Sequence, residues 1–258
     1  EQWRGRLVAL YGCSYALSQL SGPLLLGVIG TDHDYGFWVG VGLLTVAPLL
    51  LLGRSGAPTA ESFGVTFSDL WRFCLSLPAI AWAVALFAAF EAMILTLLPV
   101  YCLQQGFTAE IALAMVSTVV VGDALLQLPI GALADYLPRR TLFLGCALLL
   151  LASSLAVPLL MHTPLIWPVW VLFGASAGGL FTLSLILIGE RYRDDALVRA
   201  NAHVAQLWGI GCLIGPLVAG AGSQWISGHA LPWLMAAGAL GLVLLLLRQG
   251  AFGVAQPV

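Results

Sequence analysis

The sequence predicts an all-α polytopic membrane protein, on three observations: its composition, eight apolar stretches of membrane-crossing length, and arginines confined to every second loop. Of 258 residues, 60% are hydrophobic and 9% charged, whereas an ordinary soluble domain is about 25% charged. Ten Lys+Arg and twelve Asp+Glu cannot clothe so much apolar surface for water, so the solvent is lipid. The net charge of −2 supplies no basic field, which excludes nucleic acid as a partner.

A helix crosses about 30 Å of hydrocarbon with about 20 mainly apolar residues. The first stretch of that kind runs from Leu7 to Ile29 and carries Tyr15, Gln19, Gly22 and Pro23. The second spans Tyr35 to Leu52, with Trp38 near its start. A long connection follows, Gly53 to Leu77, whose Arg54, Pro58, Glu61, Asp69 and Arg72 mark it as a cytoplasmic linker between two bundles. The third span, Pro78 to Leu103, contains Glu91, and the fourth, Ala109 to Ala134, contains Asp123 and Gln127. Thr108 with Glu110 suits a helix N-terminus ahead of that fourth span, as Asp194-Asp195 does ahead of the seventh. The fifth and sixth spans are Thr141 to Met161 and Leu165 to Ile188, the latter with Thr182 and Ser184. The seventh, Ala196 to Ile226, holds His203, Gln206, Gly215 and Pro216, and the eighth runs from Leu231 to Leu247.

Orientation follows from the basic residues. Arg4, Arg6, Arg54, Arg72, Arg139, Arg140, Arg191, Arg193, Arg199 and Arg248 all fall in alternate connections, and the intervening loops have none. Positive charge resists translocation, so the arginine-bearing side is cytoplasmic and both ends of the chain lie there. Trp38, Trp167, Trp225 and Trp233 at the opposite boundary, with Trp3, Trp71 and Trp82 at the inner one, fit the interfacial preference of indole.

The absence of lysine removes several chemistries. A Walker-type ATPase needs a P-loop lysine, and retinal or pyridoxal proteins need a lysine amine. Cys13, Cys74, Cys102, Cys146 and Cys212 are scattered without metal-ligand spacing, so apolar packing is expected, with no metal and no cofactor. His33, His162 and His229 fall in outer loops, and His203 suits packing.

An internal repeat suggests a larger whole. Arg6, Gly22, Pro23 and Gly27 recur as Arg199, Gly215, Pro216 and Gly220, each displaced by 193 residues. That offset equals six spans, as in a parallel six-helix repeat. The first two spans would then be the last two helices of a first half. With Glu1 in place of an initiator methionine, the chain is expected to lack about four upstream spans.

The loop after the fourth span reads Gly131-Ala-Leu-Ala-Asp135-Tyr-Leu-Pro-Arg139-Arg140. It resembles the G-x-L-A-D-R-x-G-R-R signature of the major facilitator superfamily, with Tyr136 and Pro138 in place of the usual basic residue and glycine. The resemblance implies two six-helix halves, of which this chain would supply helices five to twelve. Residues 1–53 would close the N-terminal bundle, 54–77 would be the inter-bundle linker, and 78–258 would form the C-terminal bundle. It further implies that Gly131, Asp135, Arg139 and Arg140 form a cytoplasmic gating motif. Asp135 would face the helix start at Arg4 to Arg6, and Arg199 would meet the corresponding loop of the other half. Gly22-Pro23 and Gly215-Pro216 resemble the Gly-Pro pattern of antiporters in the family, where small residues also serve close helix packing.

Two acids lie near mid-span: Glu91, thirteen residues after Pro78, and Asp123, fourteen after Ala109. A charge at that depth costs a few kcal/mol or more, so such residues face a cavity or a partner. They suit taking up and releasing a proton, and are the coupling candidates; a permanently protonated carboxyl or an arginine partner in missing helices is the competing explanation. Tyr15, Gln19, Gln127, Thr182 and Gln206 are candidates to line a cavity. The expected protein is a monomeric, non-enzymatic secondary transporter of the bacterial inner membrane. It would exchange protons for a small solute, lipophilic or cationic by the look of the acids, through alternating access in a lipid bilayer. A polytopic membrane enzyme would need clustered His, Asp or Ser at an interface, and a receptor on the same fold would bind without flux.

Overall fold

The computed structural model describes residues 21–22, 25, 28–29, 34–51, 66–225 and 228–248. Among them the regular structure is helical. The elements are α1 (Tyr35–Leu51), α2 (Phe67–Ser76), α3 (Pro78–Thr96), α4 (Leu98–Gln104), α5 (Ala109–Tyr136), α6 (Arg139–Leu160), α7 (Ile166–Arg191), α8 (Asp194–Trp225) and α9 (Ala230–Arg248). Among the described residues, six helices, α3 and α5 to α9, are long and apolar enough to cross a membrane. Their bounds differ from the predicted spans by a few residues at each end, except for the third. Most of the first predicted span lies outside the described residues.

The third span is broken. Pro99 sits in the first turn of α4 and has no N–H to continue the ladder from α3, so the helix interrupts at Leu97. The chain re-enters helix at once, since the Leu97 carbonyl accepts from the Tyr101 N–H at 2.8 Å. At the far end of α4, Gly106 has φ of +88°, a conformation favoured by glycine. Its N–H bonds the Leu103 carbonyl at 3.0 Å while that of Phe107 reaches the Cys102 carbonyl at 3.1 Å, a Schellman closure that turns the chain into α5.

The connection read as a linker contains a helix. Thr66 and Asp69 bond each other across the first turn of α2, with the Thr66 N–H donating to Asp69 Oδ2 at 3.2 Å, which satisfies a donor that helix starts leave open. Leu70, Phe73 and Leu77 recur at helical spacing and are buried with Ile80 and Val84 of α3 and Ala200, Val204 and Leu207 of α8. That is the repeat a protein-packed stripe requires.

Within the membrane-length helices, α5 packs on α7, α3 on α8, α6 on both α7 and α9, and α3 also on α7 and α9. The main core gathers Phe143, Leu150, Trp170, Phe173, Leu180 and Met235, all essentially inaccessible. Two seams are set by glycine. A methyl on Gly122 would strike the Val171 carbonyl and one on Gly174 the Val119 carbonyl, so α5 and α7 run in backbone contact. Across α3 and α8, a Cβ at Gly215 would stand 2.6 Å from the Ala89 Cβ, and one at Gly211 would stand 2.7 Å from the Ala88 Cβ. Without a hydrophobic drive between helices in lipid, such close approach is what holds them together.

Candidate functional site: a carboxylate-lined cleft between two helices

Glu91 and Asp123 line the same cleft. Phe90, Glu91, Ile94 and Leu95 of α3 and Val119, Val120 and Asp123 of α5 line one narrow cleft, with room for about one water molecule. Two acids and five apolar side chains form this lining, with no basic residue among those described. Glu91 is 8% exposed.

The two carboxylates have different surroundings. Asp123 and Gln127 are one turn apart on α5, and the Gln127 Nε2 donates to Asp123 Oδ1 at 2.9 Å. A methyl at position 178 would land on that carboxylate oxygen, so the absence of a side chain at Gly178 on α7 is what gives Asp123 its room. Glu91 follows Phe87 by one helical turn, beside a block of rings that the sequence had not singled out. Phe87 stacks on Phe181 at 4.8 Å, and the Trp208 ring meets Phe87 and Phe181 edge-on at 5.5 and 5.0 Å. Phe90 meets Phe173 at 5.2 Å, and Phe173 meets Trp170 at 5.5 Å. Apart from the Trp170–Phe173 pair within α7, these contacts join α3, α7 and α8 over sequence separations that no local pattern reveals, and edge-to-face pairs of this kind add to simple burial.

The other candidates separate into groups. Thr182 is half-buried on α7, while the Ser184 hydroxyl bonds back to the Leu180 carbonyl at 2.7 Å. Gln206 is tied to His203, with Oε1 and Nδ1 at 3.1 Å, and His203 is buried against the Phe73 ring at 5.2 Å. Gly215 belongs to the α3–α8 seam and Pro216 lies inside α8. Gly22 and Gly131 have open space where a Cβ would stand. Arg6, Tyr15, Gln19 and Pro23 lie outside the described residues, as does the side chain of Asp135.

The two loop arginines have partners in their own bundle. Arg139 donates from Nε and Nη2 to Glu190 Oε1 on α7, at 3.2 and 3.0 Å. Arg140 Nη2 donates to the Leu246 carbonyl at 3.0 Å, which satisfies one of the open acceptors at the end of α9. Arg199 is exposed on α8.

Residues 108–254 match the Major Facilitator Superfamily profile, a stretch that takes in α5 to α9, Asp123 and the whole Gly131–Arg140 segment, of which only Leu137 and Pro138 lie between helices. The chain belongs to the Major Facilitator Superfamily. Similar proteins carry the same family label: the uncharacterized MFS-type transporter YfkF of Bacillus subtilis is 23% identical over 228 residues, covering 85% of this chain and 58% of that protein. The uncharacterized MFS-type transporter YE1530 of Yersinia enterocolitica is 24% identical, covering 95% of this chain and 64% of its own length. For YcaD of Escherichia fergusonii the identity is 24%, over 99% of this chain and 66% of that protein. The chain therefore spans about three fifths of the length of the curated relatives it matches. Membership in this superfamily makes it a multi-pass α-helical membrane protein, in keeping with the six membrane-length helices.

Proposed function

We propose that the chain is the larger part of a proton-coupled secondary transporter that works by alternating access between two helical bundles. The observation that carries this reading is the convergence of Glu91 and Asp123 on one cleft between α3 and α5. A weakly hydrated carboxyl changes charge readily when its surroundings change, and two from different helices lining one apolar cleft can exchange a proton for a solute. The apolar and acidic lining favours a small lipophilic or cationic compound moved outward by exchange. Residues 1–53 would complete the N-terminal bundle, 54–77 would connect the bundles, and 78–258 would form the C-terminal one. Both chain ends would face the cytoplasm at a bacterial inner membrane, and the protein would act as a monomer. At the cytoplasmic face, Asp135 would meet the helix start near Arg6, and Arg199 the equivalent loop of the other bundle.

The test is flux in liposomes containing the full-length protein, with an imposed pH gradient and ethidium as the cationic probe. Gradient-driven ethidium movement is expected, falling at least tenfold in Glu91→Gln and more mildly in Asp123→Asn. A Glu91→Gln protein that keeps both its rate and its pH dependence ends the coupling role. Specific ethidium binding without flux would make the protein a receptor.

A further inference from the structure

Helix α2 has three faces where an ordinary amphipathic helix has two. At about 100° per residue, Leu70, Phe73 and Leu77 fall together, and this face is buried with α3 and α8. Ser68, Asp69, Arg72 and Ser76 make a polar face, on which the Arg72 and Asp69 side chains are 82% and 42% exposed. Between the two lie Phe67, Trp71 and Leu75, spaced by four and grouped within about 80°, yet 77%, 61% and 65% exposed.

We propose that this third face is a lipid-binding surface, embedded among the phospholipids of the leaflet at that end of the bundle. Three observations select lipid over other occupants. The helix is joined to the membrane-length α3 through Leu77 alone, whose N–H still bonds the Phe73 carbonyl at 3.0 Å and whose carbonyl accepts from Ala81 at 2.9 Å; α2 is therefore fixed at the membrane boundary. The exposed row holds two aromatic residues and one aliphatic, with the indole at its centre, the composition that settles between headgroups and acyl chains. The order around the helix is protein, apolar, polar, which a helix needs when it lies along the line where protein, lipid and water meet. Arg72, next to Trp71 and on the water side, is in position to meet headgroup phosphates.

The surface is independent of what is transported, and its test reads no flux. Benzoylphenylalanine is placed singly at positions 67, 71 and 75, and at 68, 72 and 76, of the full-length protein in phosphatidylethanolamine–phosphatidylglycerol vesicles. After irradiation, the intact mass is read for phospholipid adducts. At least fivefold more adduct is expected at 67, 71 and 75 than at 68, 72 and 76. Cross-links from 67, 71 and 75 to protein, whether the rest of the chain or a second copy, would overturn the proposal. So would equal lipid labelling of both sets, or none at either. All six positions lie on faces turned from the packed core, so the substitutions leave the fold intact; melting curves matching the parent's check this.

Discussion

The glycine seam between α5 and α7 yields a sharp expectation for Gly174→Ala. An ideal Cβ there would stand 2.9 Å from the Val119 carbonyl carbon and 3.0 Å from the Asp123 backbone nitrogen, with the Val119 oxygen nearer still, whereas ordinary contact is 3.4–4 Å. None of these atoms is the end of a flexible side chain. The two helices must therefore separate by roughly 1 Å or more, which forfeits at least a quarter to a half of the attraction at each contact along the seam. Overpacking of this kind costs about 1–3 kcal/mol, only partly offset by the ~1 kcal/mol that alanine gains over glycine within a helix. At Gly145 nothing lies within 4 Å, so Gly145→Ala keeps that gain without a clash. The alanine gain is common to both, so the two variants should differ by about 1–3 kcal/mol, or about 2–12 °C in melting temperature for a chain of this size. Gly122→Ala should behave like Gly174→Ala. Gly178→Ala should be milder in stability, because the displaced group is the Asp123 carboxylate, while it breaks the Gln127 bond and, on the proposed function, would weaken coupling. A thiol-reactive dye melting assay on detergent-solubilised protein gives the order. If Gly174→Ala melts as high as Gly145→Ala, the backbone contact between α5 and α7 is not real.

Three further outcomes follow from other contacts. Arg139→Glu should lower stability by no more than about 1 kcal/mol, because the pair with Glu190 is partly hydrated, and adding Glu190→Arg should recover about half the loss; melting at low and high salt tests this, the difference shrinking in salt. Trp82→Phe removes the indole donor that reaches the Gly238 carbonyl at 2.9 Å, and should cost about 1 kcal/mol in the same melting assay. The hydrogen bonds from the Thr66 hydroxyl and amide, with Arg72 nearby, hold the Asp69 carboxyl below its usual range. Its contribution to the start of α2 is therefore complete above the ordinary aspartate pKa and lost as pH falls through the lowered value. Amide exchange at residues 67–70, corrected for intrinsic rate, should accelerate at acid pH, and Asp69→Asn should remove that acid response.

Length and hydropathy made α5 to α9 legible, because a lipid solvent demands apolar runs of fixed length and rewards little else. Pro99 was visible too, but it was absorbed into a single predicted span since its neighbours are as apolar as the rest. The charges of the linker mask helix α2 in the sequence, although Thr66 and Asp69, then Leu70, Phe73 and Leu77, carry both a start signal and a period. Counting from helix starts put Glu91 and Asp123 at similar depth, and the one-turn spacing to Gln127 is realised as a hydrogen bond. That the two acids share a cleft depends on how α3 and α5 are rotated, which Gly122, Gly174 and Gly178 help to set for α5 and Gly211 and Gly215 for α3, through close contacts far apart in sequence. Likewise Gln206, read as a cavity residue, is tied to His203, and Arg139 meets Glu190 across 51 positions.

The arginine contacts at the start of α6 bear on how a rocking carrier would set its resting state. A ligand or a bond biases an equilibrium between two conformations only by the difference in its strength between them. The Arg139–Glu190 and Arg140–Leu246 bonds begin and end within the same group of helices, so turning that group as one piece leaves them unchanged on both sides of the motion. In the proposed rocking motion these two bonds would act as rivets, tightening the moving part without themselves favouring either of its positions. Any asymmetry between inward and outward states has to come from side chains that change neighbours during the swing.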